Sequence, residues 1–570
     1  MLSAKGARPP YWPGLVLWGL LLLLPGLTSL PPLDRDEPRY AQASKQMLTS
    51  GNFHDIAFQQ EARYKKPIGI YWLQSLSNAA FGAPPYDTIW PYRLPSLLGG
   101  ILALLFTAWG FGRITDSRAG ALAALILGCN LLLVFEGHIA KTDAALLACI
   151  TGAQLIMFQA YRGVVSSRAA YSFWLLQAAA ILIKGPIAPL FSLLTIAALG
   201  IADRKLTWLK ALRPKRGLLL CILLVLPWLV AIGFASQGRF YQEAVGHDFL
   251  GKLFSGQERR ALPPGYHSLL FFALFLPHIT LVLMGLAQLW QRRHEPIARF
   301  LLAWIVPGWL LYELVATKLP HYVLPCYPAL ACAAAMVLTM GALPQSSFWR
   351  IALRLQAIAL TAIALAFIAA AWWLEASPVL LSLAALGALM LFWQQARLFW
   401  LKPILSCLLG TAAATLLFIG SYSSLLPAIS AYWLSPQIRA AYFAARPCPL
   451  LSRLVTEGYN EPSIVFLAGT NTVFANGGGF AARLLTHDRC SVVVVRDDLA
   501  AGFLADIASL DDGVEPIGQL RGYNYNGGGW QTYHLYRAAR QDPLWSAVTQ
   551  WLTSPVRPMC PYHFRSPDER

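Results

Sequence analysis

Charge is scarce in this chain. Only 13% of its 570 residues are Asp, Glu, Lys or Arg, about half the fraction expected of a soluble domain, so a wholly soluble protein is excluded. The nine cysteines include no Cys-x-x-Cys pair, so no thiol-pair motif is present. No Walker or Rossmann fingerprint lies near a predicted βα turn, and nothing points to a nucleotide. No internal repeat or low-complexity tract appears. Acidic residues are few, which leaves a net charge of +17. In a soluble protein that excess would suggest nucleic acid. Here no basic stretch has the context of a recognition motif, and nucleic acid is excluded as a partner.

What is present is apolar. Hydrophobic residues make up 56% of the chain and the mean hydropathy is +0.50. Twenty Trp and 28 Phe suit helices that meet a headgroup region. Runs of spanning length fall at 12–31, 93–112, 119–136, 143–161, 169–183, 186–201, 217–235, 268–289, 297–316, 321–341, 351–373, 378–395 and 402–422, which predicts about 13 spans. The first run follows Lys5 and Arg8 and resembles a signal peptide. With no clear cleavage site after it, it reads as a retained transmembrane helix.

The basic residues orient the chain. Lys5 and Arg8 fall in one set with Arg113 and Arg118, Arg162 and Arg168, the cluster from Arg204 to Arg216, Arg292, Arg293 and Arg299, Arg350 and Arg354, and Arg397 and Lys402. All land on one side if the span list is right, and that side is cytoplasmic. Contact with anionic membrane lipids accounts for the rest of the excess charge. The exoplasmic segments are then 32–92, 137–142, the turn at 184–186, 236–267, 317–320 and 374–377.

After about Ser435 the composition changes. Pro462–Leu467 and Cys490–Arg496 read as strands, and Gly477–Gly479 and Gly527–Gly529 as loops. These predict two domains: a transmembrane domain over 1–435, and a small exoplasmic α/β domain over 436–570. Two of Cys448, Cys490 and Cys560 could pair there, and spacing does not say which. Six other cysteines lie in or beside apolar runs as packing residues.

Chemistry-bearing residues gather on the exoplasmic helix ends. The first loop opens with Asp34-Arg35-Asp36-Glu37-Pro38-Arg39-Tyr40. Asp36 reads either as a helix N-cap or as a carboxylate at a polar site. The same loop holds Arg63-Tyr64-Lys65-Lys66-Pro67, cations that suit a phosphate at the interface or ordinary lipid headgroups. Glu136-Gly137-His138-Ile139-Ala140-Lys141-Thr142-Asp143 puts an acid at the mouth of the fourth span, where it could also be a cap. Lys184-Gly185-Pro186 breaks an apolar stretch; its lysine could also snorkel. Lys318-Leu319-Pro320-His321-Tyr322 adds a cation, an imidazole and a phenol. The shared side suits a site for an anionic, hydroxylated ligand.

In combination these motifs resemble the C superfamily (GT-C) of membrane glycosyltransferases, and most resemble the lipid A aminoarabinose transferases, in the same clan as the protein O-mannosyltransferases. The motifs are Asp-Glu-x-x-Tyr after the first helix, Lys-Pro at residues 66–67, Thr142-Asp143, Lys184-Gly185-Pro186, and Lys-Leu-Pro-x-Tyr-x-Leu-Pro from Lys318. The resemblance implies a mainly α, polytopic GT-C fold with the C-terminal domain outside. It implies an enzyme of the bacterial inner membrane with a periplasmic active site. That enzyme would move a sugar from a polyprenyl (undecaprenyl) phosphate to lipid A or another envelope glycan. By the same resemblance Asp36, Glu37 and Asp143 are catalytic, and Lys66 and Tyr322 lie at the donor phosphate. The charge pattern adds Lys65, Arg63 and Lys184 as cations for that phosphate, and Arg39, Tyr40, Tyr64, His138, Lys318 and His321 as candidates to line the substrate. Aminoarabinose transferases carry Glu where this chain has Lys65, and that glutamate can contribute to a metal. A protonated ammonium cannot ligate one, so no cofactor is assigned and the sugar stays open. Two other readings stay open: O-glycosylation of exported proteins, and a lipid or small-molecule transporter. A structural envelope role fits the charged loops poorly. Transporters place polar groups near mid-membrane and often show repeats, and neither is seen.

Overall fold

A computed structural model describes residues 11–33, 35–244, 246, 262–340, 343–448, 451–525 and 527–539. Lys5, Arg8, Asp34 and Cys560 lie outside the described residues, as does most of the segment 245–261. The chain divides into two compact units, Met1–Tyr432 and Trp433–Arg570.

The first unit is helical and is that of a multi-pass membrane protein. Its opening elements are α1 (Trp12–Leu23), α2 (Asp36–Ser50), α3 (Gly69–Phe81), α4 (Trp90–Ile114), α5 (Ser117–Gly128), α6 (Leu131–His138), α7 (Asp143–Tyr161), α8 (Ser167–Lys184), α9 (Ile187–Asp203) and α10 (Pro214–Ala235). A two-residue antiparallel ribbon, β1 (Ala57–Phe58) with β2 (Glu61–Ala62), sits in the first loop. Among the described residues, eight helices are long and apolar enough to cross a membrane, or nine if α5 and α6 form one span bent by 69°.

Each of the apolar runs read from the sequence forms helix, but five do not form one long apolar span. The causes are local. α1 stops after 12 residues, just before Pro25-Gly26. Asn130 accepts hydrogen bonds from the Leu132 and Leu133 amides and so starts α6 afresh. Gly185 takes φ +71° and separates α8 from α9, so the apolar stretch around Lys184 is two helices. The run at 268–289 is split into Tyr266–Leu274 and Ile279–Gln291, with Pro277 unable to donate in between.

α7 is buried along nearly its whole length, whereas α10 and Ser347–Trp373 present most of theirs outwards, as lipid-facing helices must. The close approach of α4 to α7 needs a glycine. A Cβ on Gly99 would lie 2.6 Å from the Ala145 nitrogen, and this contact seats the first turn of α7. Gly69 does the same for the first loop: a Cβ there would lie 2.7 Å from the Leu182 carbonyl oxygen. The chain just after Lys65-Lys66-Pro67 is thereby pressed against the end of α8, beside Lys184.

The second unit carries a five-stranded sheet in the order β4-β3-β5-β7-β6. Its strands are β3 (Leu454–Glu457), β4 (Val473–Ala475), β5 (Val492–Arg496), β6 (Val514–Asn524) and β7 (Gly529–Ala538). β3 pairs parallel with β4 and β5, and β7 pairs antiparallel with β5 and β6. The strand expected at Cys490–Arg496 is β5. The one expected at Pro462–Leu467 is instead a helix, Pro462–Ala468. Its first five residues are buried, so the apolar run has no periodicity to read, and Pro462 takes the first helical position that suits proline. Cys448 is disulfide-bonded to Cys490; the six cysteines of the apolar runs are free and buried.

Candidate functional site

The site begins with a buried ion pair. Glu37 and Arg93 are both fully buried, with Arg93 Nε 2.8 Å from Glu37 Oε1. Glu37 Oε1 also accepts from the Ala140 amide at 2.8 Å, and Oε2 accepts from the Leu33 amide at 2.5 Å and from the guanidinium at 3.0 Å. Arg93 spends its other N–H groups on the carbonyls of Leu27, Leu30 and Pro31. One pair thus ties the segment after α1, the start of α2, the start of α4 and the turn before α7. Glu37 was expected to be catalytic; both of its oxygens are occupied inside the protein by Arg93 and by the Leu33 and Ala140 amides.

That clamp sets α2. Its first residue is Asp36, and the N-cap is Arg35 with no side-chain cap, so Asp36 is not the helix cap. Its side chain is half exposed, 3.5 Å from Arg39. One turn on, Tyr40 is buried and lies 5.5 Å, ring to ring, from Tyr71. The Arg63 guanidinium sits 5.1 Å from the centre of the Tyr40 ring. Burial pushes the Tyr40 phenol well up, and the charges acting on it include Tyr71, Arg63, Asp36 and Asp143. Tyr40 therefore lies within electrostatic reach of both the first-loop and the α7 acids.

Asp143 opens α7 and is 5% exposed. Its Oδ1 accepts from Lys184 Nζ at 2.5 Å and lies 3.7 Å from His321 Nε2. The other imidazole nitrogen, Nδ1, lies 3.4 Å from Glu136 Oε1. Tyr322 follows, its ring 5.2 Å from Tyr312. Lys65 is exposed and Lys66 half buried, with Lys66 Nζ donating to the Lys65 carbonyl at 3.0 Å.

The structure thus gathers Asp36, Arg39, Tyr40 and Arg63 in one group, and Asp143, Lys184, His321 and Tyr322 in another. Three expected substrate residues lie outside both groups. His138 is buried, its nitrogens facing the carbonyls of Val134 and Pro25, and its ring stacks on Tyr422 at 3.6 Å. Lys318 donates to the carbonyls of Glu313 and Val315 and so caps the helix Pro296–Leu314. Tyr64 is 4% exposed and packs edge-on against Phe240; burial and Asp55 push its phenol up to about 12. Two residues were given no role from the sequence. Arg93 carried a signal, a guanidinium at the mouth of an apolar run. Glu136 did too, as an acid at the end of another. Neither signal names a partner.

The metal position that the resemblance implies does not fit this chain, because residue 65 is an exposed lysine. Elsewhere, Glu136, Asp143 and His321 offer one ligand atom each, all within 4.8 Å of one another.

The model of the dolichyl-phosphate-mannose-protein mannosyltransferase family matches residues 22–239. The undecaprenyl phosphate-alpha-4-amino-4-deoxy-L-arabinose arabinosyl transferase 1 of Pseudomonas fluorescens is 27% identical over 326 residues, 56% of this chain and 57% of that protein. The corresponding transferase of Erwinia tasmaniensis is 26% identical over 393 residues, 66% of this chain and 68% of its own length. The match to the Pseudomonas protein therefore spans little more than half of that relative. In fold the likeness is broader. The crystal structure of ArnT from Cupriavidus metallidurans bound to undecaprenyl phosphate superposes with a TM-score of 0.72 at 17% identity, over 94% of this chain and 99% of that one. This chain has the fold of the GT-C membrane glycosyltransferases and is similar in sequence, over part of its length, to aminoarabinose transferases.

Proposed function

We propose that the protein transfers a sugar from a polyprenyl phosphate to an envelope acceptor such as lipid A, at the periplasmic face of an inner membrane. The observation that carries this reading is the pair of charged groups at helix ends, Asp36 with Arg39 and Arg63, and Asp143 with Lys184 and His321, linked through Tyr40. Such a mixture suits an anionic donor and a hydroxylated acceptor. It is supported by the similarity to proteins named as undecaprenyl-phosphate aminoarabinose transferases.

In the reaction, the bond between the anomeric carbon and the phosphate oxygen breaks, and a bond from the acceptor oxygen to that carbon forms. The departing phosphate gains charge. Lys66, helped by Arg63, Lys65 or Lys184, would meet that charge as a fixed cation. Tyr322 would donate from its phenol. Half-exposed Asp36 would take the proton of an acceptor hydroxyl. An acceptor that is itself an anionic phosphate carries no proton to remove, and Asp36 would then orient groups or stabilise positive charge developing at the anomeric carbon. Lys184 holds the Asp143 carboxylate at the mouth of α7, where it faces the sugar. Lining by Arg39, Tyr40 and His321 would complete the cavity. The domains follow: a membrane transferase unit, and an exoplasmic α/β unit.

The test uses purified protein with radiolabelled undecaprenyl-phosphate sugars and lipid A. Asp36→Asn and Lys66→Ala are each expected to lower transfer about 100-fold or more. Transfer at the parental rate by either variant overturns its assignment. The matched family model is named for protein mannosylation, so exported proteins are the second acceptor to assay.

A further inference from the structure

We propose that Glu136, Asp143 and His321 form a binding site for a single divalent cation. The three come from separate elements: the last turn of α6, the first residue of α7, and the 3-10 turn Pro320–Cys326. Only tertiary packing brings them together, so the cluster is not a by-product of a local acidic run. Two carboxylates and an imidazole are a donor set that suits zinc or manganese, with the remaining positions left to water or a ligand.

Two geometric observations point to an ion. Glu136 is 1% exposed, yet its Oε2 is buried with no hydrogen-bond partner. A carboxylate oxygen stripped of water and given no donor is costly, and a cation removes that cost. The second observation is spacing. His321 stands between the two carboxylates, its Nδ1 3.4 Å from Glu136 Oε1 and its Nε2 3.7 Å from Asp143 Oδ1. Both separations are longer than good hydrogen bonds. One ligand atom from each of the three residues lies within 4.8 Å of the others, so small side-chain rotations bring all three to one ion with bonds of about 2.0–2.2 Å. Lys184 takes Asp143 Oδ1 at 2.5 Å, so the oxygen left to an ion is Oδ2, which receives only a long 3.3 Å contact from the Thr142 hydroxyl.

The site does not involve position 65, and it does not depend on the transfer reaction. It is therefore tested by binding alone. Full-length protein without a histidine tag is purified in detergent, stripped with a chelator, and dialysed against zinc or manganese alone. Elemental analysis is expected to find about one ion per chain. Glu136→Gln and His321→Asn are each expected to weaken binding at least tenfold, with elution volume and metal-free melting temperature unchanged. X-ray absorption of the loaded parent is expected to show one imidazole, oxygen donors and no sulfur. The proposal is overturned if the stripped parent retains no ion, if both variants bind as the parent does, or if the absorption spectrum shows sulfur or lacks imidazole. The last measurement decides the matter even if the variants do not fold.

Discussion

The Glu37–Arg93 pair offers the sharpest quantitative test of this architecture. Both side chains are fully buried, so neither charge has water to fall back on. Replacing Glu37 with Gln keeps the volume and one acceptor oxygen but leaves the guanidinium uncompensated. Breaking a buried pair in this way costs about 3–5 kcal/mol, whereas an exposed pair is worth about 0–1 kcal/mol. The carbonyls of Leu27, Leu30 and Pro31 would still be served by Arg93, so the loss comes from the charge and from the one backbone amide, of Leu33 or Ala140, that loses its acceptor. Arg93→Met would strip those three carbonyls as well and is expected to cost more. The double variant should cost less than the sum of the two, since neither charge is then left alone. Reversible unfolding in mixed micelles measures all three. The reasoning is refuted if Glu37→Gln loses less than about 1 kcal/mol, or if the two changes are additive.

Other outcomes follow from single contacts. Lys318→Met orphans the carbonyls of Glu313 and Val315 and should cost about 1–3 kcal/mol, with the KM for donor within twofold of the parent. A tenfold rise in KM at unchanged melting temperature would return Lys318 to the substrate. Non-reducing peptide mapping should recover Cys448 linked to Cys490, and Cys448→Ala should lower stability by about 2–5 kcal/mol in oxidised samples, with little change under reductant. Gly99→Leu drives a side chain into the Ala144–Ala145 backbone and should cost about 1–3 kcal/mol or more. It should also lower transfer by displacing Asp143, and unchanged melting and activity would contradict the close approach of α4 and α7.

Much of this protein was legible without coordinates. The apolar runs are local in sequence, and burying about 20 apolar residues dictates a helix wherever they fall. The residues of the two charged groups stood out because ionisable side chains at the mouths of such runs need a reason. Breaks within the runs were harder to place, since Asn130 acts through a pair of amide hydrogen bonds and Pro277 through a missing N–H, neither of which hydropathy registers. The helix at Pro462–Ala468 was misread because burial on all sides erases periodicity.

The division of roles inside the charged motifs belongs to tertiary structure. Asp36 and Glu37 are adjacent, yet one is half exposed and the other is consumed by a guanidinium 56 residues away. His138 and His321 look alike in sequence. One is locked between backbone carbonyls, and the other stands between two carboxylates. Hydropathy is a property of neighbours along the chain, and the sequence therefore settles which segments become helices. Whether a buried charge is spent on structure or left for chemistry depends on which distant donors reach it, and only the packed helices decide that.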